Sequence, residues 1–183
     1  MSAEWYGLAK KRVLLIIAPL DFSDDIAITL KNLLEESGFQ VDVSSTMTGT
    51  ARGVNGTQIP VSIDLKEANL ADYIGAILVG GPGFVSYFSG YRVLRGKLAE
   101  MHESGRLLAA VGEALLLLVR IGILKGIKIA DPGDTEMTST LQREGAIIEP
   151  SEVVFDNRIL TASNKVSPRE LANRVLEHLL VLG

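Results

Sequence analysis

The chain has 183 residues, 47% of them hydrophobic, with 18 Lys/Arg against 22 Asp/Glu and no cysteine. A chain of this size can bury roughly two-thirds of its unfolded surface around one core without a disulfide or metal staple. The missing thiols exclude disulfides, thiolate metal sites and cysteine catalysis, and a net charge of −4 with scattered basic residues leaves no electrostatic footprint for nucleic acid.

Residues 1–11 read as an N-terminal extension, in which Met1–Ala9 has the pattern of a short amphipathic helix with Trp5, Tyr6 and Leu8 on one side. It lacks the long apolar core of a signal peptide. "RVLLIIA" (Arg12–Ala18) is the continuous apolar run of a strand covered on both faces. "PLDFSDD" follows as a loop, and Ile26, Leu30, Leu33 and Leu34 then recur at helical spacing until Gly38. "FQVDVSS" alternates as a second strand, and Asn55-Gly56 within Arg52–Ile63 predicts a type I′ hairpin. "YIGAILVGG" (Tyr73–Gly81) is a buried strand ending in glycines. Tyr91–Ser104 is helical with Leu94, Leu98 and Met101 inward.

"GRLLAAVGEALLLL" (Gly105–Leu118) is an apolar strand, a tight turn at Gly112-Glu113 and an apolar helix. The apolar stretch is interrupted and too short to span a bilayer, so no membrane partner is expected and a cytoplasmic location is. "KGIKIA" is a short strand, Asp134–Glu144 a helix, and Val153–Ala162 a hairpin around Asp156-Asn157. Ser167–Leu182 is a closing helix with Pro168 at its first turn.

Strands alternating with helices predict an α/β fold, a three-layer sandwich whose mostly parallel central sheet carries helices on both faces. Residues 12–183 are expected to form it as a single domain. Ligand sites in such sheets lie at the carboxyl ends of the strands. Three loops are expected to converge there: Asp21–Asp25, Gly80–Gly83 and Gly112–Glu113.

Each candidate in these loops has two readings. Glu113 is either a helix-start carboxylate favoured by the helix dipole or a cleft acid or base raised by apolar surroundings. Asp21, Asp24 and Asp25 with Glu113 are a potential carboxylate cluster that would suit Mg²⁺ or Ca²⁺, or first-turn helix residues. No Asp-x-Asp-x-Asp-Gly loop is present, and neither a metal nor a cofactor is expected. Gly80, Gly81 and Gly83 either form a tight turn or let backbone N–H groups approach a carboxylate weakly. They match neither a dinucleotide-binding nor a Walker signature. Ser23, Ser86, Thr138 and Ser139 would need a histidine base. His102 and His178 lie on helices away from the strand ends and are expected at the surface.

"AILVGGPG" (residues 76–83), "LLAAVGEALLLLVRIGILKGIKIA" (107–130) and "EGAIIEPSEVVFDNRILTASNKVSPRELANRVLEHL" (144–179) together resemble the ThiJ/PfpI superfamily, from Arg12 to the C-terminus. The resemblance implies a flavodoxin-like, class I glutamine amidotransferase-like fold. It places Gly112 where the family has its nucleophilic Cys, Glu113 where it has the neighbouring His, and Ser23 where it often has a Glu that bonds the Cys. Protease, deglycase and peroxide-sensing activities in the family depend on that thiol. Gly112 is then either a turn residue alone or a strained nucleophile elbow that has kept its backbone and lost its sulfur.

No catalytic residue is therefore expected at the degenerate positions Gly112, Glu113 and Ser23. A binding, regulatory or structural role is expected, with Gly80, Gly81, Gly112, Glu113, Asp21 and Asp24 around a small-molecule ligand. The alternative is a hydrolase or lyase acting on a small carbonyl substrate, with Glu113 and Asp21 or Asp24 replacing the thiol. The resemblance also implies a homo-oligomer, a dimer or higher. Trp5, Tyr6, Phe84, Tyr87 and Phe88 are candidate interface residues.

Overall fold

A computed structural model describes residues 11–181. The trace opens on β1 (Arg12–Ile16), β2 (Leu20–Phe22), α1 (Asp24–Glu36) and β3 (Gln40–Ser45), then the short strands β4 (Gly49–Gly53), β5 (Gln58–Val61) and β6 (Ile63–Asp64). β7 (Gly75–Leu78), α2 (Pro82–Phe88), α3 (Arg92–Glu103), β8 (Leu107–Val111) and α4 (Ala114–Arg120) follow. The chain closes through β9 (Lys128–Ala130), α5 (Thr135–Arg143), β10 (Ile147–Glu149), β11 (Val153–Asp156), β12 (Ile159–Ala162) and α6 (Pro168–Val181).

The central sheet has seven strands in the order β11-β12-β8-β7-β1-β3-β6. Every pairing in it is parallel except that of β11 with β12. β1 shows why its sequence is apolar throughout. Side chains alternate across a strand, so Val13 and Leu15 enter a core with α1 and α6 while Leu14 and Ile16 enter a second core with α3 and α4. The fold is thus the three-layer α/β sandwich that the alternating pattern predicts.

Both expected hairpins form, β4 with β5 and β11 with β12, but the first does not have the expected turn type. Between β4 and β5 only Gly56 has positive φ (+89°). The Gly56 N–H donates to the Gly53 carbonyl at 3.0 Å, and Asn55 stays in ordinary backbone, so this is not a type I′ turn. The positive-φ pair lies between β11 and β12, at Asn157 (+49°) and Arg158 (+62°). An arginine there costs about 1–2 kcal/mol. Its guanidinium is anchored by donating from Nη1 to the Gly105 carbonyl at 2.8 Å, a contact that links residues far apart in sequence.

The aromatic interface expectation fails at α2. Pro82 starts this helix, and spacing of four places Phe84 and Phe88 on one face, with ring centroids 4.8 Å apart. Both are buried and Tyr87 is half-buried, so the first two belong to the core rather than to a surface. Trp5 and Tyr6 lie outside the described residues.

Candidate functional site

The carboxyl ends of β1, β7, β8 and β12 bring four loops together. Gly112 links β8 to α4 with φ +59°, a conformation costly for any residue with a Cβ. Its N–H donates to the Ala162 carbonyl at 3.1 Å, which pins the turn to β12. Glu113, with φ −59° and ψ −21°, is the N-cap of α4 but makes no side-chain cap. Its carboxylate instead crosses to the second loop, where Oε2 accepts from the Gly81 N–H at 2.8 Å. The first loop closes the circle: the Ser23 N–H donates to the Gly80 carbonyl at 3.0 Å.

The fourth loop supplies a residue that sequence reasoning missed. A Cβ on residue 112 would lie 1.8 Å from Asn164 Oδ1, so the Asn164 carboxamide stands where a side chain at the elbow would begin. The available signal was topological. β12 pairs in parallel with β8, so the residues following β12 must end beside Gly112. Replacing Gly112 with Ala should cost about 1–3 kcal/mol in urea unfolding, from the strained φ. Asn164→Ala in the same background should leave most of that loss, because the exposed carboxamide can rotate away and the backbone cannot.

The aspartates do not assemble as expected. Asp24 is buried, and its carboxylate accepts from the backbone N–H groups of Asn55 at 2.9 Å and Thr57 at 3.0 Å. Burial pushes this carboxyl up, but the Asn55 and Thr57 hydrogen bonds outweigh it and hold the group below its ordinary range. Asp21 has φ +60°, is exposed, and lies with its Cβ over Gly83. It falls at a register shift between β2 and β4. Neither residue faces Glu113 as an acid–base partner. Among the described residues, no group of three or more His, Cys, Asp or Glu side chains could hold a metal ion.

What the loops enclose is a cavity of about 270 Å³. Its polar wall includes Ser23, Asp25, Asn55, Glu113 and Asn164. Asp24 also lines it, and Ile26, Val54 and Val111 supply apolar surface. Among the described residues no Lys, Arg or His lines it, and Asp21 does not reach it. The Gly81 N–H expected to meet a ligand carboxylate is already bonded to Glu113, so the chain's own carboxylate fills that role. The histidines are half-buried rather than superficial. His178 stacks on Phe155 at 3.7 Å between ring centroids, where burial lowers its pKa, and neither histidine lines the cavity.

The sequence matches the DJ-1/PfpI family over residues 11–178, and the chain belongs to that family. The uncharacterized protein MJ0967 of Methanocaldococcus jannaschii is 32% identical over 171 residues, covering 93% of this chain and 83% of the relative. The crystal structure of a ThiJ/PfpI domain protein from Brachyspira murdochii superposes with a TM-score of 0.88 at 23% identity, covering 96% of this chain and 100% of that one. Drosophila melanogaster DJ-1beta gives a TM-score of 0.82 at 22% identity, covering 93% and 90% of the two chains. These structures share the fold; the nucleophilic thiol of the family has no counterpart in a chain without cysteine. No helix among the described residues is long and apolar enough to cross a membrane.

Proposed function

We propose that this protein is a non-catalytic member of the DJ-1/PfpI family that binds a small molecule at the former nucleophile elbow. The observation that carries the reading is the occupancy of the elbow. Gly112 keeps a positive φ, Asn164 Oδ1 stands where the side chain of a nucleophile would start, and the Glu113 carboxylate sits on the Gly81 N–H. A nucleophilic mechanism needs an attacking atom, and an oxyanion hole needs free donors. Gly112 supplies no attacking atom, and the Gly81 N–H is taken by Glu113. The carboxylate alternative needs a second acid facing Glu113, and Asp24 spends its oxygens on Asn55 and Thr57 while Asp21 lies outside the cavity.

Incubation of the purified protein with a methylglyoxal adduct and with a peptide substrate should give no turnover above a protein-free control. Turnover that disappears in Glu113→Gln would overturn the reading in favour of carboxylate catalysis. In the same reading the protein acts in the cytoplasm as a homo-oligomer. Resemblance to the family supports both, and sedimentation velocity checks the second.

A further inference from the structure

We infer that the elbow cavity selects a small organic cation, a primary amine, over anionic ligands. The inference rests on the binding reading above and names its ligand class. The cavity is already a formed concave site at the strand ends, and its charge decides what can enter. Asp24, Asp25 and Glu113 stand in its wall, and no basic side chain among the described residues offsets them. The N-terminus of α1 and the start of α4 point here, but a helix end carries only about half a positive charge. Each is already met by carboxylates: Asp24 and Asp25 in the first turn of α1, Glu113 at the N-cap of α4.

Two acceptors at the elbow suit such a ligand. Glu113 commits Oε2 to Gly81 and has no other protein partner among the described residues, which leaves Oε1 as a free acceptor. The Asn164 carbonyl oxygen at the elbow is a second. An ammonium group has three donors and no acceptor, so it suits a pair of acceptors with a carboxylate nearby. Ile26, Val54 and Val111 give its aliphatic part an apolar wall. A carboxylate ligand would meet Glu113 at close range and find the Gly81 N–H taken.

The test titrates the full chain, by amide chemical shifts, with n-butylammonium, n-butanol and n-butyrate, which share one aliphatic chain and differ in charge. Butylammonium should shift the Gly81 and Gly112 amides saturably, and butyrate should bind at least tenfold more weakly. Glu113→Gln keeps an oxygen for the Gly81 N–H and should weaken butylammonium tenfold or more. Glu113→Ala frees that N–H and should move the preference toward butyrate. Asp25→Asn, an exposed substitution, gives an independent reduction if the Ala variant does not fold. Butyrate binding as tightly as butylammonium, no saturable binding by any probe, or butylammonium binding unchanged in Glu113→Gln would each overturn the inference. None of these results would restore turnover, so the non-catalytic reading stands or falls separately on the substrate assay.

Discussion

Asp24→Ala is expected to lower the stability of the protein by about 2–4 kcal/mol, because it strips two backbone N–H groups of a charged acceptor. Asp24 sits in the first turn of α1, yet its oxygens serve residues 31 and 33 positions away, the N–H groups of Asn55 and Thr57. It therefore ties the β4–β5 hairpin to α1. Its carboxylate also lies directly against Gly53, where an added Cβ would come within 2.1 Å of Oδ1. Asn at this position would keep one acceptor but turn an NH₂ toward the other N–H, so Asn should recover part of the loss and not all of it.

The pH dependence has a definite sign. The folded-state pKa of Asp24 lies below its unfolded value, so the unfolded chain binds a proton first as acid is added. Its stabilisation is fully present above the unfolded carboxylate pKa of about 3.9 and is lost as pH falls through the lower folded value. Urea unfolding at neutral pH and at successively lower pH should show the gap between wild type and Asp24→Ala narrowing below about pH 4. A gap that stays constant into strong acid would mean that the charge of Asp24 is not what stabilises the fold, and a neutral-pH loss below about 0.5 kcal/mol would mean that solvent replaces the carboxylate without cost.

Asp24 also marks where sequence reasoning stops. The apolar runs at Arg12–Ala18 and Leu107–Val111 identify strands covered on both faces, because a strand with two buried surfaces has no polar positions to alternate. The glycine at 112 is legible as a turn from its place between an apolar strand and an apolar helix. What cannot be read is where a side chain points after the chain turns. An aspartate in a first helical turn looks like a dipole partner, and nothing nearby reveals that its oxygens reach Asn55 and Thr57. Asp21 lies three residues before it and leaves the cavity because of a local positive φ at a non-glycine residue, which no composition rule foresees. Asn164 was hidden differently. Its role follows from the adjacency of β12 and β8, a long-range fact that becomes visible only when the strand order is known. The Phe84 and Phe88 pair reads as surface because a short helix of seven residues offers little periodicity to detect.

Gly81→Ala is expected to be strongly damaging, costing about 3 kcal/mol or more from backbone strain and steric overlap together. Gly81 has φ +124° and ψ 164°, a region that residues with a side chain essentially do not occupy. An added Cβ would also meet backbone rather than a movable side chain: the Asp21 carbonyl oxygen at 2.5 Å and the Ser23 nitrogen at 2.8 Å. That backbone cannot retreat cheaply. The Ser23 N–H is held by the Gly80 carbonyl, and the Phe22 side chain between them is fully buried. Relaxing the clash would instead move residue 81, which breaks the 2.8 Å bond from its N–H to Glu113 and opens the contact that joins β7 to the start of α4. Gly96, inside α3 with nothing near its missing Cβ, is the matched control, and alanine there should stabilise by about 0.5–1 kcal/mol through helix propensity alone. Paired thermal and urea unfolding of the two variants separates local strain at the site from a general response to adding a methyl group. A Gly81→Ala protein within about 1 kcal/mol of wild type would show that the loops around the cavity deform freely. In that case the elbow's fixed geometry could not be what sets its ligand.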